Sequence, residues 1–93
     1  FSTPEIKISV KDSEKLKIVE ELKNNFKPEG YDSILLDGLR LENEESWGLV
    51  RASNTTPALV LRFEAKTEKK LMQIKELFQA ALLEIDNQLN FLN

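Results

Sequence analysis

The chain of 93 residues contains no cysteine and no histidine. Without cysteine it cannot form a disulfide, a thiolate metal site or a thiol nucleophile, and without histidine it lacks the commonest general base and metal ligand. We therefore expect no autonomous catalysis. Glycine and proline are also scarce, with three of each, while 41% of the residues are hydrophobic and 31% are charged. This balance is typical of a single folded domain and excludes disordered and fibrous proteins.

Long hydrophobic runs are absent as well. No apolar stretch approaches the roughly 20 residues of a membrane span, and the start has neither a basic nor an apolar signal region, so we expect a cytoplasmic protein without a membrane partner. The net charge of −3 argues against non-specific nucleic-acid binding, which requires broad neutralisation of phosphates by Lys and Arg. Because the chain begins at Phe1 instead of a methionine, we interpret residues 1–4 as a linker stub from a preceding domain and residues 5–93 as one domain.

The first third of the chain predicts a strand followed by a helix. Hydrophobic and polar residues alternate over residues 5–11, which is the period of a strand with one buried face. Asp12 or Ser13 then supplies a helix N-cap, and apolar residues recur at helical spacing over residues 13–26 until Pro28 ends the pattern. The apolar residues of this helix are Leu16, Val19, Leu22 and Phe26.

The rest of the chain predicts a hairpin, two further strands and a long helix. Asp37-Gly38 is a pair that favours tight hairpins, because Gly tolerates positive φ. The predicted strands cover residues 33–36, 39–42, 47–52 and 58–65. Thr67 is a suitable N-cap for the final helix. That helix is expected to keep an apolar stripe for about six turns and to fray beyond Asp86. The stripe is formed by Leu71, Ile74, Phe78, Ala81, Leu82, Ile85 and Leu89.

The order of these elements predicts an α+β fold. A strand, a helix, three or four strands and a second helix suit an antiparallel sheet of about four strands with both helices on one face. The other face is expected to be partly open. In the last strand Val60, Arg62 and Glu64 alternate with inward-facing residues, so the outer face is suited to line a cleft or to contact a partner domain.

Residues 51–57, between the last two strands, are rich in polar donors. The side chains concerned are Arg51, Ser53, Asn54, Thr55 and Thr56. Arg51 offers a planar fork of donors to phosphate oxygens, and the hydroxyls, the amide and the backbone N–H groups add more. A loop between two strands is also held rigidly by its scaffold. The alternative is an ordinary polar turn, since Ser, Asn, Thr and Pro dominate turns for conformational reasons.

Two other features have ordinary structural explanations. The acidic residues Glu42, Glu44 and Glu45 lack the alternating ligands and the Gly of a calcium loop, so we expect a solvated turn. Trp47 is a residue type that stacks on sugars, but its alternation with Leu49 favours a position in the core or at a sheet edge.

Three runs of the sequence carry a family resemblance. They are Asp-Gly-Leu-Arg-Leu at residues 37–41, Trp-Gly-Leu-Val-Arg-Ala-Ser-Asn-Thr-Thr-Pro at residues 47–57 and Leu-Val-Leu-Arg-Phe-Glu-Ala at residues 59–65. Together they closely resemble the C-terminal domain of the α-D-phosphohexomutases, and among these the bacterial bifunctional phosphomannomutase/phosphoglucomutase enzymes. The resemblance covers practically the whole chain, and the Arg-x-Ser-x-Thr-x-Pro element is quite specific.

The resemblance implies a fold related to the TATA-box-binding protein and a place as the fourth domain of a phosphosugar mutase. The family's phosphate-contacting positions fall on Arg51, Ser53, Asn54 and Thr55. The family often has Gly at the position of Asn54, and Asn also tolerates a left-handed turn. It often has Glu where this chain has Thr56, which leaves the role of Thr56 open, and no ligand role is carried over to Arg62.

In the family, a phosphoserine in the first domain, beside Mg²⁺, exchanges phosphate with a hexose 1- or 6-phosphate. The chain is therefore expected to contain no cofactor, to be inactive alone and to hold the phosphate that is not reacting. The implied partners are a glucose or mannose phosphate, the bisphosphate intermediate and the other three domains of the enzyme. An autonomous phospholigand-binding module and a structural interaction domain are the alternatives. The preference between mannose and glucose stays open, as does the oligomeric state.

Overall fold

A computed structural model describes residues 1–92, which form a five-stranded antiparallel sheet with two helices on one face. The strands are β1 (Ile6–Ser9), β2 (Asp32–Ile34), β3 (Leu39–Glu42), β4 (Ser46–Ala52) and β5 (Ala58–Ala65), and the helices are α1 (Asp12–Asn25) and α2 (Glu68–Ile85). The strand order is β1-β5-β4-β3-β2. The α+β prediction with both helices on one face is confirmed.

The predicted hairpin is formed by β2 and β3. Asp37 and Gly38 in its turn both have positive φ, at 55° and 110°. The sheet has five strands instead of about four, because the three exposed residues of β2 still pair with β3 at the edge of the sheet.

The core lies between the helices and the inner face of the sheet. Alternation in β5 places Leu59, Leu61 and Phe63 on this face, where each is at most 1% exposed. The ring of Phe78 in α2 meets the ring of Phe63 edge to face, with centroids 5.1 Å apart. The other large side chains with almost no exposure are Leu22, Leu39, Leu41, Val50, Ile74 and Leu82. Each such side chain contributes about 1.5–3 kcal/mol of transfer free energy, so the core is the main stabilising feature.

β4 has small residues on its inner face and large residues on its outer face. A β-carbon added to Gly48 would lie 2.7 Å from an atom of Phe78 and 2.8 Å from an atom of Phe63, which leaves no room for a side chain. The adjacent Trp47 and the later Arg51 therefore lie on the outer face, paired with outward residues of β5. The expected core or edge position of Trp47 is wrong, because β4 is an inner strand and the contact of Gly48 with two phenyl rings sets which residues face outward.

The outer face of the sheet carries ordered polar contacts. The guanidinium carbon of Arg40 lies 4.3 Å from the ring centroid of Trp47, and its Nε donates to Oε1 of Glu42 at 2.8 Å. Val60, expected among the outward residues, is on this face but only 3% exposed, because the long side chains paired with it on β1 and β4 flank it.

α1 begins and ends one residue earlier than predicted. Lys11 occupies the N-cap position without a side-chain cap bond. Asp12, one of the two predicted caps, lies instead in the first turn, where its carboxylate pairs with Lys15 Nζ at 2.8 Å. Ile18 is buried, whereas Leu16 is 66% exposed. The predicted core position of Leu16 is therefore wrong, because that side of the helix faces an open groove next to the loop after β4.

α2 begins as predicted, after an N-cap at Thr67 whose Oγ1 accepts a backbone N–H of the first turn at 3.1 Å. It ends at Ile85, next to Asp86, beyond which fraying of the helix was predicted. A turn in which Leu89 N donates to Asp86 O at 3.0 Å returns Leu89 to the core, where it is 3% exposed. The buried side chain of Gln79 holds this returning segment in place.

Residues 1–3 run along β5. The amino group of Phe1 donates to Ala65 O at 2.9 Å, and Ala65 N donates to Phe1 O at 2.8 Å. Thr3 N donates to Phe63 O at 3.0 Å. The interpretation of residues 1–4 as a linker stub stays a prediction.

Candidate functional site

Arg51 is the penultimate residue of β4 and lies on the outer face, half-buried, just before the β4–β5 loop of residues 53–57. Within residues 1–92 its guanidinium makes neither an ion pair nor a hydrogen bond. Gly38, in the turn before β3, lies against the base of its side chain, since a β-carbon added to Gly38 would be 2.8 Å from Arg51 Cβ. The sheet thus positions the base of Arg51 while its fork of donors stays available to an anion.

Ser53 braces the loop from within. Its Oγ accepts the backbone N–H groups of Thr55 and Thr56 at 3.4 and 3.2 Å and the hydroxyl of Thr56 at 2.9 Å. Ser53 N donates to Ala58 O at 2.9 Å, and the residue is only 7% exposed. The loop itself therefore uses the hydroxyls of Ser53 and Thr56, and the role of Ser53 as a phosphate contact stays a prediction.

Lys15 of α1, which the sequence did not single out, is bound to the same loop. Its Nζ donates to the carbonyl oxygens of Ser53 at 2.8 Å and Thr56 at 3.3 Å, and pairs with Asp12 Oδ1 at 2.8 Å. The side chain is 13% exposed. Lys15 and Ser53 are 38 positions apart in the chain, so no local spacing signals their contact.

Asn54 and Thr55 form the exposed tip of the loop. Within residues 1–92 neither side chain makes a hydrogen bond, and the backbone N–H of Asn54 has no partner either. Asp37 alone among the non-glycine residues of this part of the chain has positive φ. Asn54 therefore does not adopt the left-handed backbone conformation. The ability of Asn to tolerate that conformation, noted from the sequence, is not needed at this position.

A groove of about 280 Å³ separates the β4–β5 loop from α1 and from the turn before β3. Arg51 and Asn54 lie on the loop side, and Lys15, Leu16 and Lys23 lie on the helix side. Basic side chains therefore lie on both sides of the groove, together with the acidic residues Glu20 and Asp37.

The predicted site residues fall into two groups. Arg51, Asn54 and Thr55 present donors that have no partner within residues 1–92, whereas Ser53 is turned into the loop. Arg62, for which no role was predicted, is exposed on the outer face of β5, opposite Leu49 and one strand from Arg51.

The described part of the chain, residues 1–92, contains no group of three acidic side chains that could hold a metal ion. The acidic turn is organised by Asn43, whose Oδ1 accepts the backbone N–H groups of Glu45 and Ser46 at 2.8 and 2.9 Å. In the same residues neither helix has both the length and the apolar character needed to cross a membrane.

Comparison with known proteins gives consistent matches. The family described as phosphoglucomutase/phosphomannomutase, C-terminal domain, matches residues 5–81. A phosphomannomutase/phosphoglucomutase of Pseudomonas aeruginosa is 48% identical over 89 residues, which are 96% of this chain and 19% of that protein. A phosphoglucomutase of Neisseria gonorrhoeae is 46% identical over 84 residues, covering 88% of this chain and 18% of that protein. A crystal structure of a phosphoglucomutase/phosphomannomutase family protein from Burkholderia thailandensis has a TM-score of 0.83 at 36% identity, covering 97% of this chain and 19% of that one. The chain thus spans about a fifth of the length of these relatives.

Proposed function

The chain belongs to the phosphoglucomutase/phosphomannomutase family, as its C-terminal domain, and we propose that it binds the non-reacting phosphate of a phosphohexose within an intact phosphomannomutase/phosphoglucomutase. The observation that carries this proposal is the guanidinium of Arg51, which has no partner within residues 1–92, next to a loop tip formed by Asn54 and Thr55. A fully ionised phosphate group accepts hydrogen bonds only, and these groups supply donors.

Each donor has a specific place in the proposed contact. Arg51 binds two phosphate oxygens through its planar fork. The Thr55 hydroxyl and the Asn54 amide donate to the same phosphate, and the backbone N–H of Asn54 is the fourth donor group. Ser53 has two proposed roles. Its Oγ braces the loop from within, and it is also a predicted phosphate contact. Such a grip fixes one end of the sugar phosphate and leaves its other end to be placed against the reacting group.

The intact enzyme would interconvert hexose 1- and 6-phosphates through a bisphosphate intermediate. The same grip serves both orientations, since the phosphate it holds is the one that does not react. We propose that the phosphoserine and the Mg²⁺ beside it belong to another of the enzyme's domains, because residues 1–92 gather no acidic side chains for a metal ion. The proposed partners of this domain are the phosphohexose and the other three domains of the enzyme. We propose a cytoplasmic enzyme, with neither nucleic acid nor a membrane as a partner.

The proposal is tested by a ¹⁵N NMR titration of the 93-residue chain with glucose 1,6-bisphosphate, with unphosphorylated glucose as the matched ligand control. We expect shifts of the backbone amides of residues 51–56 with a dissociation constant on the millimolar scale, and no such shifts with glucose. In Arg51→Ala the shifts should require about tenfold more ligand.

Three outcomes would contradict the proposal. Micromolar binding by the chain alone would favour an autonomous phospholigand-binding module. No phosphate-dependent shift at any amide would favour a structural interaction domain. Shifts that cluster away from residues 51–56 would place the ligand at a different site.

A further inference from the structure

We propose that Lys15 is a positioning residue, which holds the β4–β5 loop in the form that binds phosphate and directs the backbone N–H of Asn54 toward the ligand. This inference rests on the proposed function of the loop and adds to it a residue from α1. Lys15 is the lysine whose Nζ bonds two carbonyl oxygens of the loop.

The hydrogen bonds of Lys15 indicate that it does not bind the ligand itself. An ammonium group has three N–H donors. The acceptors around Nζ are Ser53 O at 2.8 Å, Thr56 O at 3.3 Å and Asp12 Oδ1 at 2.8 Å. All three donors are therefore used within the protein. Because the side chain is also 13% exposed, Lys15 acts on a phosphate through the loop and not by direct contact.

The bond to Ser53 O determines the direction of the next N–H group. The carbonyl of Ser53 and the N–H of Asn54 belong to one peptide unit, and the two groups of a planar trans peptide point in opposite directions. Within residues 1–92 every peptide bond is trans. By holding the carbonyl, Lys15 turns the N–H of Asn54 away from the ammonium group, and this N–H has no partner in the same residues.

Two further carbonyl groups of the loop also accept hydrogen bonds from the body of the domain. Thr56 O accepts from Lys15 at 3.3 Å, and Pro57 O accepts from Val10 N at 3.0 Å. Oxygen atoms that faced a bound phosphate would repel it, whereas N–H groups attract it. Lys15 binds one carbonyl oxygen at each end of the loop and so helps to keep these oxygens away from the N–H donors. An anion site requires such a separation of carbonyl oxygens from N–H groups.

The test compares Lys15→Met with Lys23→Met in the 93-residue chain. Lys23 is a close match: it lies on α1, lines the same groove and pairs with an acidic residue three positions earlier, with a side chain 20% exposed. Each variant is titrated with glucose 1,6-bisphosphate and with inorganic phosphate and is followed by ¹⁵N NMR. We expect Lys15→Met to weaken binding about tenfold and Lys23→Met to change it by less than about twofold.

A second readout needs no ligand. Lys15→Met should shift the amide resonance of Asn54 and speed the hydrogen exchange of Ser53 and Ala58, whose N–H groups close the loop. Lys23→Met should leave all three amides unchanged. If Lys15→Met does not fold, Lys15→Gln replaces it, since its neutral and shorter side chain cannot bridge both carbonyls.

The outcomes separate this inference from the function on which it rests. Equal affinity of the parent chain and Lys15→Met, with an unchanged Asn54 resonance, would overturn the role of Lys15 and leave the phosphate site intact. Equal weakening by Lys15→Met and Lys23→Met would mean a general effect of charge and would also overturn it. No binding by the parent chain would overturn the phosphate site itself, and the role of Lys15 as a positioning residue with it.

Discussion

The backbone of Gly38 is packed so closely against Arg51 that a β-carbon on Gly38 would lie 2.8 Å from Arg51 Cβ and 2.5 Å from Val50 O. The turn between β2 and β3 thereby supports the end of β4 from which Arg51 projects. This contact makes the hairpin part of the scaffold of the candidate site, although no hairpin residue is expected to touch the ligand.

The first prediction concerns Gly38→Ala. The new methyl group would collide with backbone atoms at a residue with φ of 110°, so we expect a loss of stability of at least about 2 kcal/mol. Chemical denaturation measures it. Gly30→Ala is the matched control, because Gly30 also has positive φ, 86°, but has no atom within 4 Å of the added carbon. Equal effects of the two substitutions would show that the contact with Arg51 is unimportant.

The second prediction concerns Arg51→Ala in the intact enzyme. Loss of a charged hydrogen-bonding group costs about 1.5–3 kcal/mol, so kcat/KM should fall by about one to two powers of ten. The domain should stay folded, because the guanidinium makes no ion pair or hydrogen bond within residues 1–92 and only the packing of the side chain beside Val60 is lost. Arg62→Ala removes an equal charge from the next strand and should leave kcat/KM within about twofold of the parent. A fully active Arg51→Ala enzyme would rule out Arg51 as a phosphate ligand.

The third prediction concerns the brace inside the loop. Ser53→Ala removes the acceptor of two backbone N–H groups and one hydroxyl, so stability should fall by about 1 kcal/mol even without ligand. Thr55→Ala, at an exposed residue whose hydroxyl makes no bond within residues 1–92, should leave stability unchanged. Thermal unfolding of both variants measures the difference. If Ser53→Ala is as stable as the parent chain, Ser53 does not brace the loop.

The fourth prediction concerns the segment after α2. The Nε2 of Gln79 donates to Leu89 O at 2.8 Å, and its Oε1 accepts Phe91 N and Leu92 N at 2.8 and 2.9 Å. Gln79→Leu leaves Leu89 O and Phe91 N unpaired, while Leu92 N keeps only its bond to Asn90 Oδ1 at 3.1 Å, and the substitution should cost about 1–3 kcal/mol. Hydrogen exchange at Phe91 and Leu92 should become faster.

Gln73→Leu is the control for that substitution, since Gln73 lies on the same helix and is exposed. It should alter neither stability nor exchange. Unchanged exchange at Phe91 and Leu92 in Gln79→Leu would mean that the apolar contacts of this segment, such as the stacking of Phe91 on Phe63 at 5.6 Å, suffice to hold it.

Strands and helices with clear local signals were predictable from the sequence. β5 was predicted at its observed bounds, Ala58–Ala65, because apolar and polar residues alternate from Leu61 to its end and one face is fully buried. The N-cap at Thr67 was predictable for a similar reason, since the capping bond spans only three residues.

Contacts between distant segments were not predictable in this way. In β4 both alternating sets contain apolar residues, with Trp47 and Leu49 in one set and Val50 in the other, so the pattern does not show which set faces inward. The rings of Phe63 and Phe78, which pack on Gly48, decide it. The position of Arg51 on the outer face follows from that packing. The contact of Lys15 with the loop likewise depends on how α1 crosses the sheet, which no local spacing records.

The position of Trp47 also provides an optical signal. The chain has one tryptophan, half-buried on the outer face beneath the guanidinium of Arg40. Arg51 lies four positions further along the extended strand, a distance of about 13 Å. A domain that docks on the outer face would remove water from the indole and shift its fluorescence to shorter wavelength, whereas a small phosphate held by the loop would leave the emission almost unchanged. The natural fluorescence of the chain can thus distinguish domain docking from ligand binding without an added label.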